Sequence, residues 1–390
     1  MNKSKIAIVS LLIIIVILCV FLYTRSVKTP QSNTNISNGE SQSSESTGFS
    51  IIHDEKYGGA YIKISADEFN SLGFQYGDSV DVVFTNGYKF EDIPYYNGYY
   101  TDVGEPLLVA YPSNQYIRVG INYGDDIWVL GNLNDNEKCT INLREKAKYA
   151  DIQMLRNISY SNDQGDLPDE VFGNFRPMNL GNLKENTLYR GASPIDNTNK
   201  RAGVVDSLIS GEKIAYIIDL ADNDYEIMSF SQADDFNSPY FMDLYNNHKI
   251  SVLSMNIQYK TDNFSQKLAQ GLSDMAQNDG PYYIHCQEGK DRTGFVCIAL
   301  EAFAGATYQE IVDDYMKTYE NYYKITQDSD KERYEVIKEK NVDTMLRYIV
   351  GAEESDDLST IDLKTAARVY LQNIGMSDET INLLESKICK

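Results

Sequence analysis

The sequence has few of the residues that bind metals or form cross-links. It contains three histidines and five cysteines, with no CxxC pair and no histidine grouped with acidic residues at ligand spacing. Zinc sites and disulfide frameworks need such groupings. The shortage argues against both, and we expect a protein that works without a metal or another cofactor.

Basic residues are also scarce. The chain has 35 lysines and arginines against 57 aspartates and glutamates, for a formal net charge of −22. A surface of this sign repels a phosphate backbone, so nucleic acid is not an expected partner. The length of 390 residues exceeds what one compact core usually holds and favours two folded domains.

The N-terminus carries a long apolar run. Residues 6–23 are uncharged and almost wholly apolar, and they follow a short basic start. A run of this length can cross a bilayer as a transmembrane helix. No small-x-small cleavage site follows closely, so we favour an uncleaved membrane anchor at residues 1–28 over a removable signal. The basic head is expected to stay inside, which places the rest outside the cytoplasm, or secretes it if the segment is cleaved.

The next two segments differ sharply in composition. Residues 29–50 are rich in Ser, Asn, Thr and Gln, which is typical of a flexible linker. Residues 51–156 alternate apolar and polar side chains in short stretches separated by glycine-containing turns. This pattern predicts a β-rich accessory domain, a small antiparallel barrel or sandwich. In its tyrosine-rich run at 92–100 we favour strand packing over a sugar- or peptide-binding face.

Residues 157–390 change to an alternation of buried strands and amphipathic helices. The predicted elements are strands at 214–220, 250–255 and 282–284, and helices at 264–277, from 294, at 308–318 and at 361–374. The alternation is typical of an α/β domain, whose ligands bind at the carboxyl ends of the strands. The expected fold is an α/β sheet flanked by helices, preceded by a small all-β domain and an N-terminal transmembrane helix.

One loop carries the chemistry. Residues 285–294 read HCQEGKDRTG and lie between a predicted buried strand and a helix. Such a loop aims several backbone N–H groups at one point, forming a nest for the oxygens of a phosphoryl group. Gly289 lets the backbone turn tightly, and the planar fork of Arg292 can grip two phosphate oxygens. The predicted phosphate-binding residues are Gln287, Glu288, Gly289, Lys290, Asp291 and Arg292.

Cys286 is the predicted nucleophile, because those amides and the helix dipole favour its thiolate form. His285 is expected to steady the loop through the backbone. Thr293 can donate its hydroxyl to the sulfur and so ease departure of the thiolate. Cys297 lies within the following apolar helix and is expected to be a core residue.

The loop resembles that of the cysteine-based tyrosine phosphatase superfamily, and within it the bacterial tyrosine and dual-specificity phosphatases with the motif HCxxGKDRTG. The likeness extends along roughly residues 174–384, through segments at 174–176, 188–194, 217–220, 310–316 and 370–375. Two positions depart from it: Ala221 stands where Arg often follows Asp-Leu, and Pro177 stands where an acid is common. Any role of those two family side chains is absent here.

The resemblance implies a tyrosine-phosphatase-like catalytic domain at residues 157–390. It would hydrolyse phosphotyrosine esters of proteins through a cysteinyl-phosphate intermediate, as a phosphoric monoester hydrolase. Phosphoserine, phosphothreonine and phosphoinositide esters stay open as substrates. Lys290 and Asp291 occur in relatives that act on phosphoinositides, whereas Glu288 adds opposing negative charge.

The leaving oxygen needs a proton and the second step needs a base, and one carboxyl group can serve both. Asp262 and Asp291 compete for that role. Asp262 precedes the predicted helix at 264–277, where the superfamily's mobile acid loop would fall, and its alternative is helix capping. Asp291 lies inside the loop and could instead orient Arg292 or Lys290. We lean towards Asp262.

A different class of function stays open. A loop of this kind can capture phosphate groups with little turnover, while the β-rich domain docks to a cell-wall or protein partner. A low-pKa cysteine also oxidises readily, which would make a thiol switch. We favour the enzyme.

Overall fold

The computed structural model describes residues 45–390 apart from Val103 and Ser113, with side chains from Gly48 onward. These residues form one compact unit. It contains a closed β-barrel and a five-stranded sheet surrounded by helices, so the predicted α/β class is confirmed. The predicted membrane anchor at residues 6–23 lies outside the described residues, and the predicted domain division after residue 156 remains a prediction.

Within residues 45–390, Val103 and Ser113 excepted, no helix has both the length and the apolar character needed to span a bilayer.

The barrel closes in the order β1-β2-β6-β5-β4-β3-β7. Its strands are β1 (Glu45–Asp54), β2 (Gly59–Ile62), β3 (Ser79–Phe84), β4 (Lys89–Tyr96), β5 (Pro106–Val109), β6 (Ile117–Ile121) and β7 (Lys138–Glu145). Two helices interrupt them, α1 (Ala66–Ser71) and α2 (Ile127–Leu130). Strands β4 and β5 pair in parallel, which corrects the all-antiparallel expectation.

Alternating side chains fill the barrel. Along β3, Val80, Val82 and Phe84 are buried while the residues between them are partly exposed, as a pleated strand with one face on the core requires. The ring of Phe69 on α1 stacks on Phe74 with centroids 4.2 Å apart. The helix thus contributes aromatic side chains to the core that the strands enclose.

Two short helices follow the barrel, α3 (Ala150–Arg156) and α4 (Asp169–Phe172). Gln153 on α3 donates from Nε2 to Oδ1 of Asn97 at 2.7 Å and accepts from the Asn97 backbone N–H at 3.2 Å. Leu155 on the same helix belongs to the core around the five-stranded sheet. Helix α3 therefore contacts both the barrel region and the core around the five-stranded sheet.

The five-stranded sheet has the order β11-β10-β12-β9-β8. Its strands are β8 (Arg176–Pro177), β9 (Leu188–Gly191), β10 (Tyr216–Asp219), β11 (Ile250–Val252) and β12 (Tyr282–His285). All neighbours pair in parallel except β8, which is antiparallel to β9. The three strands predicted in this region are confirmed, with bounds shifted by a few residues. Because helices cover both faces of this sheet, the sequences of its parallel strands are almost continuously apolar.

The remaining helices surround this sheet and pack beyond it. They are α5 (Ala202–Gly211), α6 (Asp224–Ser231), α7 (Pro239–Asn246), α8 (Asp262–Gln277), α9 (Asp291–Phe303), α10 (Tyr308–Tyr323), α11 (Lys331–Ile337), α12 (Thr344–Val350), α13 (Leu363–Asn373) and α14 (Asp378–Ile388). A π-helical turn, Lys338–Asp343, links α11 to α12. The four predicted helices are confirmed as α8, α9, α10 and α13.

Helix α9 is the central helix of this region. Every residue from Thr293 to Phe303 is buried, which explains why its sequence is apolar all round rather than striped. Phe295 stacks on Tyr259 with ring centroids 4.7 Å apart and meets Phe264 edge-on at 5.1 Å. The start of α9 is thereby fixed against the segment that precedes α8.

Replacing Phe295 by Ala should therefore destabilise the protein by about 3–5 kcal/mol, because the fully buried ring would leave a cavity. Denaturant unfolding of the two proteins measures the difference. Val369→Ala on α13, where the side chain is 46% exposed, is the matched control and should stay within about 0.5 kcal/mol of wild type. Equal losses for both variants would contradict the central position of α9.

Candidate active site

The predicted phosphate loop lies at the carboxyl end of the central strand. Strand β12 ends at His285, Cys286 follows, and α9 begins at Asp291. His285 pairs with Asp219 of β10, and its carbonyl accepts from the Leu220 backbone N–H at 2.9 Å. Cys286 is only 3% exposed, so its sulfur sits deep in the structure.

The carbonyl groups of the loop are bonded to surrounding segments. They accept hydrogen bonds from both backbone and side-chain donors, most of them distant in sequence. The pairs are Gln287 with the Ser193 N–H at 3.1 Å, Glu288 with the Tyr322 hydroxyl at 2.7 Å, and Gly289 with Arg190 Nη2 at 3.0 Å. These bonds fix the direction of three successive peptide groups.

The backbone N–H groups of the loop, in contrast to its carbonyls, have no such partners in the described residues. In the described part of the chain, no backbone N–H of residues 287–292 donates a hydrogen bond to another protein group. Consecutive unpaired amides at the start of a helix form an anion-binding nest. The loop therefore has the geometry that holds a phosphoryl group.

Gly289 is required by close packing. Its φ is 66°, in the left-handed region. A Cβ atom at this position would lie 2.2 Å from the carbonyl oxygen of Gly191, far inside contact distance. No other residue fits without moving the loop or β9.

A buried ion cluster supports the loop from beneath. Arg190 is fully buried and donates from Nη1 to Oδ2 of Asp314 at 2.6 Å, while Arg176 donates from Nε to Oδ1 at 2.6 Å. Asn174 adds a hydrogen bond from Nδ2 to the Gly289 carbonyl at 3.3 Å. Burial alone would raise the pKa of Asp314, but the two guanidinium groups hold it well below its usual range. Asp314 is thus the ionised centre of the support.

The roles of Arg190 and Asp314 were not predicted from the sequence. Both lie in segments that resemble the phosphatase family, but no local motif shows that their side chains meet. They are 124 positions apart in the chain. Only the fold brings them together beneath Gly289.

Arg292 connects the loop to the segment before α8. It is partly buried and donates from Nη1 to the carbonyl of Met255 at 2.9 Å. A guanidinium has five N–H groups, and this is the one hydrogen bond that Arg292 forms through its side chain in the described residues. Its remaining donors can serve the oxygens of a phosphate.

Lys290 and Glu288 neutralise each other within the loop. Lys290 Nζ lies 2.9 Å from Glu288 Oε2 and 3.8 Å from Asp291 Oδ2, and it donates to the Tyr323 hydroxyl at 3.1 Å. Burial would lower the pKa of Lys290, but the carboxylates of Asp291 and Glu288, together with the Tyr323 hydroxyl, raise it above its usual value. Tyr160 donates its hydroxyl to Glu288 Oε1. Lys290 is a paired cation here.

The two candidate acids occupy different places. Asp262 is the first residue of α8, after the N-cap residue Thr261. It is exposed and forms no side-chain hydrogen bond or ion pair within the described residues. Asp291 is the first residue of α9 and is tied to Lys290 by the 3.8 Å ion pair.

His285 and Thr293 are both completely buried. The His285 Nδ1 atom lies 3.4 Å from the Cys286 carbonyl oxygen, and the ring stacks on Tyr283. Burial lowers the pKa of His285 to about 4, so the ring is neutral at pH 7. The Thr293 hydroxyl has no hydrogen-bond partner in the described structure. The predicted bond from Thr293 to the sulfur is therefore not formed in this arrangement.

A second pair of carboxyl groups lies beside the loop and was also missed from the sequence. Asp219 ends β10 opposite His285, and its Oδ1 accepts the Asp222 backbone N–H at 3.1 Å. Both side chains are buried, and each has one oxygen without a hydrogen bond in the described residues. Burial raises the pKa of Asp219 to about 6, and burial with the neighbouring Asp219 charge raises that of Asp222 to about 8. Burial and the mutual repulsion of the two carboxylates therefore favour a protonated form of the pair.

Cys297, the cysteine that follows the loop on α9, is buried. Burial raises the pKa of the Cys297 thiol, which disfavours its reactive thiolate form, as expected of a core residue. Among the residues that the structure describes, no three His, Cys, Asp or Glu side chains are grouped so that they could hold a metal ion.

One solved structure and one family model match parts of this chain. One solved structure, described as an uncharacterized conserved protein from Thermotoga maritima, is 24% identical over 24% of this chain and 35% of its own, with a TM-score of 0.21. The match thus spans about a third of that protein. No curated protein sequence matches the chain.

A family model described as "Tyrosine phosphatase family" matches residues 172–390. The match begins at the end of α4, and it includes β8 to β12, the phosphate loop and α5 to α14. It therefore contains the loop, its ion cluster and both candidate acids. The predicted resemblance is confirmed: the chain belongs to the tyrosine phosphatase family.

Proposed function

We propose that this protein hydrolyses phosphotyrosine esters of proteins through a cysteinyl-phosphate intermediate on Cys286. The observation that carries the proposal is the division of the loop's peptide groups. The carbonyls of Gln287, Glu288 and Gly289 are bonded to the scaffold, whereas the backbone N–H groups of residues 287–292 have no hydrogen-bond partner within the described residues. Membership of the tyrosine phosphatase family supports phosphatase activity in general.

The reaction would proceed in two displacements. The Cys286 thiolate attacks phosphorus, an S–P bond forms, and the P–O bond to the tyrosyl oxygen breaks as that oxygen takes a proton. Water then attacks the cysteinyl phosphate, the S–P bond breaks, and inorganic phosphate leaves while the thiolate is restored. The loop amides and Arg292 would stabilise the charge on the three equatorial oxygens in both transition states.

Two features favour phosphotyrosine among the open substrates. Cys286 is 3% exposed, and a phenyl ester reaches a deep nucleophile more readily than a short seryl or threonyl ester. Lys290 is already paired with Glu288 at 2.9 Å, so it does not offer an uncompensated charge to a polyphosphorylated inositol ring. Both arguments concern the depth and charge of the loop, and the two-step reaction itself would be the same for each substrate.

For proton transfer we propose Asp262. Its carboxyl group forms no competing bond in the described residues, and it directly follows the segment whose Met255 carbonyl receives Arg292. Phosphate binding to Arg292 would act on that segment. Asp291 forms an ion pair with Lys290, which suits a role of Asp291 in positioning the lysine.

The carboxyl pair beside the loop would limit repulsion of the incoming phosphate. At neutral pH, Asp219 and Asp222 together retain a proton, since the pKa of Asp222 is raised to about 8 by burial and by Asp219. A doubly ionised pair would oppose a phosphate dianion. Retaining the proton therefore favours substrate binding.

We also propose that the protein acts at a membrane, with the apolar run at residues 6–23 as its anchor. Residues 45–50 of the predicted linker belong to β1, so the polar residues before Glu45 would give the catalytic region reach from the bilayer surface. The catalytic region would lie outside the cytoplasm, following the short basic head.

Cys286→Ser should lower turnover of p-nitrophenyl phosphate by at least about 10³-fold while phosphate still binds, because only the nucleophile is lost. Phosphate release and isothermal titration with inorganic phosphate measure the two properties. Cys297→Ala is the matched control, a buried cysteine on α9, and should keep its activity. Phosphate binding without turnover in the wild-type protein would instead favour a binding module that docks to a partner.

Asp262→Asn should slow hydrolysis of phosphotyrosine by about 10²–10³-fold, because an unprotonated phenolate is a poor leaving group. The same variant should lose much less activity on p-nitrophenyl phosphate, whose phenol is more acidic. Asp291→Asn should affect both substrates equally. Comparing kcat/KM for the two substrates tests this, and a selective loss in Asp291→Asn would move the proton-transfer role to Asp291.

Asp222→Asn should become more stable than wild type as pH rises. A carboxyl pKa raised to about 8 in the folded state means that folding retains a proton which the unfolded chain loses near pH 4, so wild-type stability falls as pH rises from about 4 to about 8. The variant lacks this loss, and we expect a gain of about 1–3 kcal/mol at pH 8.5 relative to pH 5. Denaturant unfolding at both pH values measures it, and an unchanged difference would contradict the buried protonated pair.

A further inference from the structure

The barrel carries a cavity that the phosphatase reaction does not use. Its volume is about 570 Å³, within the usual range for small-molecule sites. Six tyrosines line it: Tyr57, Tyr61, Tyr99, Tyr111, Tyr116 and Tyr123. Such a concentration of one aromatic residue around one cavity requires an explanation beyond packing.

The cavity lies on the outer wall of the barrel. Arg118 on β6 pairs directly with Tyr61 on β2 and with Val109 on β5. Directly paired residues share one face of a sheet, and adjacent residues face the opposite side. Val119, next to Arg118 in sequence, is in the barrel core. Arg118 and the two residues paired with it, Tyr61 and Val109, therefore point outward.

A buried ion pair forms the polar part of this wall. Arg118 Nε lies 2.7 Å from Asp54 Oδ2, and the two side chains are 9% and 5% exposed. Although close, these two atoms do not meet hydrogen-bond geometry, and neither has another hydrogen-bond partner in the described residues. The two atoms are buried against each other, so the pair forms a fixed polar wall beneath the tyrosines and not a set of free hydrogen-bonding groups.

Glycine makes room for the guanidinium. A Cβ atom on Gly59 would lie 2.6 Å from Arg118 Nε, so any larger residue would displace it. Arg118 Nη2 also donates to the Tyr57 carbonyl at 3.0 Å, and the Tyr99 ring lies over the guanidinium at 5.5 Å. The arginine is thus held in place between backbone and aromatic groups before any ligand arrives.

The charge of the cavity selects the class of ligand. Asp54 and Arg118 are the charged residues of its lining, and their charges cancel. Within this lining, a phosphate, a carboxylate or a cation would meet no uncompensated opposite charge. Lys56 is outside the lining, with its Nζ over the Tyr57 ring at 4.6 Å. The tyrosine rings offer flat apolar faces, and their hydroxyls offer donors and acceptors. This combination suits a neutral, polyhydroxylated ring.

We propose that this cavity binds a neutral saccharide. The C–H face of a sugar ring would stack on the Tyr123 ring, which is 90% exposed, and on the Tyr57 ring, which is 63% exposed and has Lys56 Nζ over one face at 4.6 Å. The hydroxyl groups of the sugar would bond to the tyrosine hydroxyls around the cavity. The site is separate from the phosphatase loop, and the proposal does not depend on phosphatase activity.

The test uses the full chain in detergent on an array of neutral and of sulfated or sialylated oligosaccharides, followed by calorimetric titration of the neutral ones that bind. Wild type should bind neutral saccharides and no anionic ones. Tyr57→Ala and Tyr123→Ala should each weaken binding about tenfold, the loss of one stacking contact. Both positions are exposed, so the variants should fold.

Tyr225→Ala is the matched control, because Tyr225 is 82% exposed on α6 and lies outside the cavity. It should bind saccharide like wild type, and all variants should retain p-nitrophenyl phosphate turnover. Absence of binding to every neutral saccharide would overturn the proposal. So would equal binding by Tyr57→Ala, Tyr123→Ala and wild type, or capture of a phosphotyrosine peptide by the cavity without any saccharide.

Discussion

The site depends on the direction of a few peptide groups. The carbonyls of Gln287, Glu288 and Gly289 are each bonded to a different surrounding segment, and these bonds fix the direction of the next three backbone N–H groups, those of residues 288–290. An unpaired buried amide costs free energy, so the arrangement persists only because the outward bonds are numerous and fixed. The affinity of the loop for an anion follows from that constraint.

The side chains that support these hydrogen bonds form a buried ion cluster, and the need for that cluster explains several residues around the loop. Arg190 reaches the Gly289 carbonyl only because Asp314 neutralises it and Arg176 shares the same carboxylate. Removing one member of a buried ion cluster leaves an uncompensated charge, which costs several kcal/mol. The strand β9 and the helix α10 are therefore coupled to the loop. Gly191 adds a steric part to this coupling, since its carbonyl contacts Gly289 closely.

Local patterns predicted what is determined locally. The amphipathic spacing of α8 and the HCQEGKDRTG loop can be recognised from neighbouring residues, and both occur where expected. The parallel pairing of β4 with β5, the ion pair of Arg190 with Asp314 and the carboxyl pair beside His285 all join residues that only the tertiary fold brings together. Helix α10 also extends beyond its predicted end at 318, because buried tyrosines continue its inner face to Tyr322.

An acidic protein that binds phosphate must lower negative charge where the phosphate arrives. The chain has a formal net charge of −22, yet around the loop Glu288 is paired with Lys290, and burial raises the pKa values of Asp219 and Asp222, which favours their neutral forms. Burial, rather than an excess of cations, thus reduces repulsion in this region. A site built this way leaves Arg292 as the cation available to the substrate, which suits a single phosphoryl group better than a polyphosphorylated one.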